Sequence, residues 1–219
     1  EVGNKFPNAR REIMSSDTVR KPAEARELVK RMRDHEIDLL IGTQIMAKGF
    51  HFPLLTLVGV IDADLGLAGG DLRAAERTYQ LLHQVSGRAG RARRSGTVLL
   101  QTFQPEHPVM RALVGGDRDA FIKSEAAARR QHNMPPYGRL AAVIVSGKNE
   151  NDVERTAISL GRSAPRMDGI SVLGPAPAPI TVVRGRHRRR LLMRARKDVN
   201  VQKLLRRWVF ACRPAAGVR

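Results

Sequence analysis

Over roughly the first 110 residues, short apolar runs alternate with segments whose apolar residues recur at helical spacing, and few folds accept that alternation. "KPAEARELVKRMRDH" sets Ala25, Leu28, Val29 and Met32 on one face behind Pro22, which predicts an amphipathic helix. "DLLIGT" follows as an apolar strand, and "LLTLVGVIDAD" as a second with carboxylates at its C-terminal end. "DLRAAERTYQLLHQV" returns to helical spacing at residues 72, 75, 79, 82 and 85, with Asp71 as the expected N-cap. "GTVLLQTF" is a third strand. Strand alternating with helix implies a parallel sheet with helices on its faces, whose ligands sit at the C-terminal ends of the strands.

A second unit follows. "HPVMRALVGGDRDAFIKSEAAARRQH" reads as two helices, and "NMPPYG" stops helical structure near residue 134. Beyond it, "LAAVIVSGK" is a strand, "NDVERTAISLGRSA" a helix capped by Asn151 or Asp152, and "ISVLGP" another strand. "APAPI" reads as a rigid extended linker. "TVVRGRHRRRLLMRAR" then forms two strands around a basic turn, and "NVQKLLRRWVFA" a closing helix. The order is that of a small α+β, split-βαβ-like domain without its last strand.

Charge is distributed unevenly between these units. Residues 184–219 carry 13 basic side chains and one acidic, against 26 basic and 20 acidic in residues 1–180. A polyanionic partner should therefore be met mainly near the C-terminus. The single cysteine, Cys212, excludes an internal disulfide or a cysteine-based zinc site and fits a reducing cytoplasm. The six histidines lack ligand spacing, so no metal is assigned, and no apolar run is long enough to span a bilayer. The chain begins at Glu1 without methionine and reads as a piece of something longer.

Three stretches carry chemistry. In "IGTQIMAKGFHFP", a strand runs into Gly42, Thr43 and Gln44 and then Lys48 and Gly49; this is either a phosphate-binding turn or an ordinary strand-to-helix turn with a surface lysine. "HQVSGRAGRARR" places Arg88 and Arg91 three apart, each after a glycine, Gly87 and Gly90, and behind Gln84. Planar guanidinium groups so placed suit a phosphoryl group in transit; the alternative is a solvated basic helix end. "RGRHRRR" gathers Arg184, Arg186, Arg188, Arg189 and Arg190 at a turn, either as contacts to a nucleic-acid backbone or as a solvated hairpin tip. Its net charge favours DNA.

"GTQIMAKGFHFP", "VGVIDADLG" and "LRAAERTYQLLHQVSGRAGR", in this order, resemble the second RecA-like lobe of superfamily 2 helicases. "GTVLLQTFQPEHPVM", "MPPYGRLAAVIVSG" and "VLGPAPAPI" extend the likeness to the PriA family of primosomal replication-restart helicases over nearly the whole chain. The resemblance implies that Gly42 to Gly49 match the motif coupling nucleotide to DNA. It also implies that Gln84, Gly87, Arg88, Gly90 and Arg91 match the motif facing ATP across an interlobe cleft, so that both arginines act on a γ-phosphate held by another domain. Further implications are 3′ to 5′ unwinding in primosome assembly and fork restart in bacteria, ATP and Mg²⁺ shared with a first lobe, and single-stranded-DNA-binding protein and primosome proteins as partners.

The departures from that family are informative. No "GxxxxGKT" loop and no usual acidic Mg²⁺ box occur, and Asp62 and Asp64 read as structural strand-end carboxylates. The cysteines that hold zinc in the intact family protein are absent, so this chain binds none. His51 stands where related helicases often carry an acidic residue, and the family's final acidic strand is missing, which leaves the last sheet one strand short with an exposed edge. The expected organisation is a helicase lobe over 1–110, a helical connector over 111–137 and a small α/β domain over 138–219. Alone, the chain is expected to be inactive as an ATPase.

Overall fold

A computed structural model describes all residues except 16, 20, 43–51, 53, 68–70, 88 and 90–95. The chain divides into two compact units, Glu1–Arg118 and Asp119–Arg219.

The first unit contains α1 (Val2–Lys5), β1 (Arg11–Met14), α2 (Pro22–Arg33), β2 (Leu39–Gly42), β3 (Leu57–Val60), α3 (Ala74–Ser86), β4 (Thr97–Leu100) and α4 (Pro108–Gly115). Strand β1 pairs with β2, and β3 with β4, both in parallel register. Parallel strands need a crossover, which α2 and α3 supply. Pro22 opens α2, and Glu24 accepts a hydrogen bond from the Lys21 N–H at 3.0 Å, which satisfies a backbone donor at the helix start. The apolar face of α2 buries Ala25 with Met14 and Val19, flanked by Leu28 and Leu40. A second cluster joins Ala63, Leu82 of α3 and Met110 of α4.

Outside the helices, side chains close this unit. The Arg10 guanidinium donates to both Asp38 oxygens, at 2.9 and 2.7 Å, and the Arg10 N–H donates to Asp38 as well, which ties the start of β1 to the start of β2. These bonds hold the Asp38 carboxyl well below the usual carboxylate range. Asp71 is not the N-cap expected from the sequence. Arg73 holds that position, and Asp71 lies in the preceding turn, where it accepts from the Arg73 N–H and pairs with Arg77.

In the second unit, α5 (Arg118–Gln131) is followed by β5 (Gly138–Gly147), α6 (Glu150–Arg162), β6 (Ile170–Val183), β7 (Arg186–Arg196) and α7 (Val201–Ala211). The sheet is antiparallel in the order β5-β7-β6, with the long hairpin of β6 and β7 placing β7 at its centre. Leu191, Met193 and Ala195 of β7 are buried with Val153, Ala157 and Leu160 of α6 and with Val201 and Trp208 of α7. The Trp208 indole donates to the Leu160 carbonyl at 3.0 Å and locks the two helices together. At the end of β5, Ser146 exchanges both backbone hydrogen bonds with Arg219, while Val218 enters the core.

Two expectations are corrected here. "APAPI" is not a linker: residues 176–180 lie within β6, which runs unbroken from Ile170 to Val183 with irregular register between Leu173 and Ala176 and between Pro177 and Val182. Prolines break the ladder locally without ending a strand at a sheet edge. The cap of α6 is Asn149, whose side chain accepts from the Asp152 N–H; Asn151 and Asp152 lie in the first turn, where the acidic group favours the helix dipole.

Two outcomes are expected. The Asp38 carboxylate has a folded pKa below its unfolded value of about 3.9, so the stability it contributes is present above that value and lost as pH falls through the folded one. Thermal midpoints of wild type and Asp38→Asn, measured across pH, should differ slightly at neutrality and converge in strong acid, because an exposed pair contributes little. Gly138→Ala should destabilise the second unit by about 1–3 kcal/mol or more, because a Cβ there would lie 2.0 Å from the Asn133 carbonyl oxygen; urea denaturation measures it.

Candidate functional site

Gly42 ends β2, opposite Met14 of β1, at the C-terminal end of a parallel pair. In a parallel α/β lobe this is the end at which ligands are held. Thr43, Gln44, Lys48 and Gly49, which continue the same motif, lie outside the described residues.

Gln84 occupies the last turn of α3 with its side chain exposed, and Gly87 closes the helix with its N–H donating to the His83 carbonyl. The helix is anchored one turn earlier, where the buried Tyr79 ring stacks on His83 and Leu82 enters the core. Gln84 thus projects outward from a helix whose opposite side is fixed. Arg88, Gly90 and Arg91 lie outside the described residues.

Asp64 is fully engaged. Its two oxygens accept from the Thr102 hydroxyl and the Phe103 N–H, each at 2.6 Å, which joins the segment after β3 to the segment after β4. Both strand ends are pinned by this carboxylate, in keeping with a structural role. Among the described residues no group of three or more His, Cys, Asp or Glu side chains is placed to hold a metal ion. Gln84 offers an exposed amide donor and acceptor, and Gly42 an exposed strand end.

The basic hairpin is fully described, and its arginines fall into different environments. Val183 pairs with Arg186, so Arg184 and Gly185 form a two-residue turn, with φ of 50° and 70°. Left-handed conformation at both positions suits a type I′ hairpin. Arg184 is exposed at the tip. Arg186 donates through one terminal nitrogen to the carbonyls of Ser146 and Gly217, at 2.9 and 3.1 Å, and staples the hairpin base to β5 and the C-terminal segment. Arg189 reaches α6, where it forms ion pairs with Glu154 and, at 3.2 Å, Glu150. The bond to Glu154, with that to Glu150, raises its pKa from the ordinary arginine value.

Side chains alternate between faces along a strand. Arg188 and Arg190 consequently lie on the opposite face of the sheet from Arg189, in one row with Leu192 and Arg194. Arg188 makes a long contact of 3.5 Å to the Ile180 carbonyl, and neither Arg188 nor Arg190 forms an ion pair with a described residue. Arg194 stands in this row although the cluster "RGRHRRR" does not contain it. Extending the two-residue strand period past Arg190 through Leu192 would have found it.

Comparison with known proteins agrees with this architecture. Residues 6–93 match the helicase conserved C-terminal domain, and residues 130–219 match the primosomal protein N C-terminal domain. The parallel unit is thus a helicase C-terminal lobe, and the antiparallel α+β unit a primosomal C-terminal domain. The chain is 44% identical over 204 residues to replication restart protein PriA of Rickettsia conorii, covering 93% of this chain and 31% of that protein. It is 41% identical to that of Synechocystis over 193 residues, 86% of this chain and 23% of that protein. To PriA of Bacillus subtilis it is 35% identical over 212 residues, 94% of this chain and 26% of that protein. The chain belongs to the PriA replication restart family and spans less than a third of the length of these relatives.

Proposed function

We propose that this chain acts as the C-terminal part of an ATP-dependent DNA helicase that unwinds 3′ to 5′ at stalled or abandoned replication forks and assists primosome assembly. The observation that carries this reading is the succession in one chain of a helicase C-terminal lobe and a primosomal C-terminal domain. Gln84 and Gly87, with Arg88, Gly90 and Arg91 directly after them, are proposed to face ATP, and Gly42, Thr43, Gln44, Lys48 and Gly49 to couple nucleotide to DNA. ATP, when bound, supplies the phosphoryl group whose transfer drives movement. The phosphate-binding loop and the Mg²⁺ ligands are proposed to belong to a first lobe, as is the zinc site to a segment outside these residues.

In this arrangement Arg88 and Arg91 contribute fixed positive charge to a phosphoryl group held from the opposite side. A guanidinium spreads that charge over a planar fork, and a lysine cannot reproduce it. Within the proposed enzyme, residues 1–110 form the lobe, 111–137 a connector and 138–219 the terminal domain, with single-stranded-DNA-binding protein and primosome proteins as partners. The hairpin arginines Arg184, Arg186, Arg188, Arg189 and Arg190 are proposed to contribute to DNA binding. Arg188 and Arg190 serve as the direct contacts, since Arg186 and Arg189 already hold the domain together.

The test for the nucleotide reading joins this chain to a first lobe carrying a phosphate-binding loop. The chain alone should hydrolyse no ATP, with or without DNA, and the joined enzyme should do so. Arg88→Ala or Arg91→Ala in the joined enzyme should lower turnover by about 10³-fold or more with DNA affinity nearly unchanged. Near-normal hydrolysis in either variant would return that arginine to a solvated helix end. For the hairpin, replacing Arg188 and Arg190 together by Ser should reduce the salt slope of single-strand binding by about 1.4, at about 0.7 per phosphate contact. An unchanged slope would remove the hairpin from the interface.

A further inference from the structure

The outward face of α7 carries an arrangement that neither the core nor the hairpin uses. Val201 and Trp208 are buried and Leu204 and Leu205 half-buried, so these four define the side of the helix that packs on the sheet. Opposite them stand Lys203, Arg206, Arg207 and Phe210, all exposed. At about 100° per residue these four fall within an arc of roughly 100°. Phe210 lies near the middle of that arc and is 85% exposed. α7 contains no acidic residue, and Lys203, Arg206 and Arg207 form no ion pair with a described residue. Arg213 follows the helix directly and is exposed too.

Solubility alone accounts for the cations. It does not account for a phenylalanine at their centre, which costs free energy in water and contributes nothing to the core. An exposed aromatic face bordered by unpaired cations matches the chemistry of a single nucleic-acid strand, whose phosphates are anionic and whose unpaired bases offer flat π surfaces. A duplex offers the phosphates and withholds the base faces.

We propose that the outer face of α7 is a binding track for single-stranded nucleic acid, in which Lys203, Arg206 and Arg207 contact phosphates and Phe210 stacks on a base. The track is separate from Arg188 and Arg190, which stand on β7. It shares with the proposed function only the class of ligand, so the two can fail independently. Phosphate contacts and stacking carry no base-edge readout, so binding is indifferent to sequence.

The test uses the whole chain, a labelled oligothymidylate and a labelled duplex, titrated at several salt concentrations. Phe210→Ala should weaken oligothymidylate binding by about five-fold or more, the lower end for losing one stacked base, and leave duplex binding as it was. Phe210→Trp should retain affinity, and its emission should be quenched by the oligothymidylate against a constant background from the buried Trp208. Replacing Lys203, Arg206 and Arg207 together by Ser should lower the single-strand salt slope by up to about two units. All four side chains face solvent, so the variants should melt as wild type does. The proposal is overturned if Phe210→Ala binds the single strand as tightly as wild type, if it weakens single strand and duplex alike, or if the triple variant keeps its slope. The Arg188→Ser, Arg190→Ser variant in the same titration separates the cases: a loss there alone leaves the hairpin in place and removes α7, and a loss only in the α7 variants does the reverse.

Discussion

The second unit depends on one row of side chains on its central strand. Leu191, Met193 and Ala195 are buried against α6 and α7; β5 is in register with the whole row, and β6 with Met193 and Ala195. Because successive residues of a strand point to opposite faces, burying this row fixes the direction of every other side chain on β7. Arg189 is thereby sent toward the helices, where Glu150 and Glu154 neutralise it, and Arg188, Arg190 and Arg194 are sent to the other face. A shift of one residue would bury arginines and expose the core. The hydrophobic row therefore determines which cations remain available to a ligand.

The same dependence explains what could be read from the sequence. Helix and strand periodicity announced α2, α3, α6, α7 and the parallel character of the first unit, because each element has one apolar face and one polar one. The run "RGRHRRR" announced charge but not direction, since the identity of the buried row is a tertiary fact. "APAPI" misled because proline chemistry describes a free segment, whereas β7 supplies a partner that keeps this stretch extended within β6. Asp71 and the α6 cap were misplaced by two or three residues. At a helix start several polar side chains compete for the same few donors, and backbone geometry decides among them. Arg194 was missed for a simpler reason: it is separated from the arginine cluster by apolar residues that belong to the strand rhythm itself.

Asp64 shows how context decides the use of a carboxylate. A strand ending in "VIDAD" has the form of a metal box, yet its second aspartate spends both oxygens on Thr102 and Phe103 and so couples the ends of two parallel strands. Where catalytic chemistry needs a free carboxylate, structural chemistry needs a satisfied one, and the two are distinguished by donors close in space and distant in sequence. The donors here lie 38 and 39 residues further along the chain.

The pattern around Gln84 is the converse. Its side chain stands in water at the end of a helix whose inner face is packed, and the chain that follows is rich in glycine and arginine. An amide so placed contributes no burial to the lobe. Asp64 and Gln84 thus stand at opposite extremes within one lobe: the carboxylate spends both oxygens on donors of its own chain and couples two strand ends, whereas the amide, on the solvent side of a helix whose inner face is packed, stays exposed.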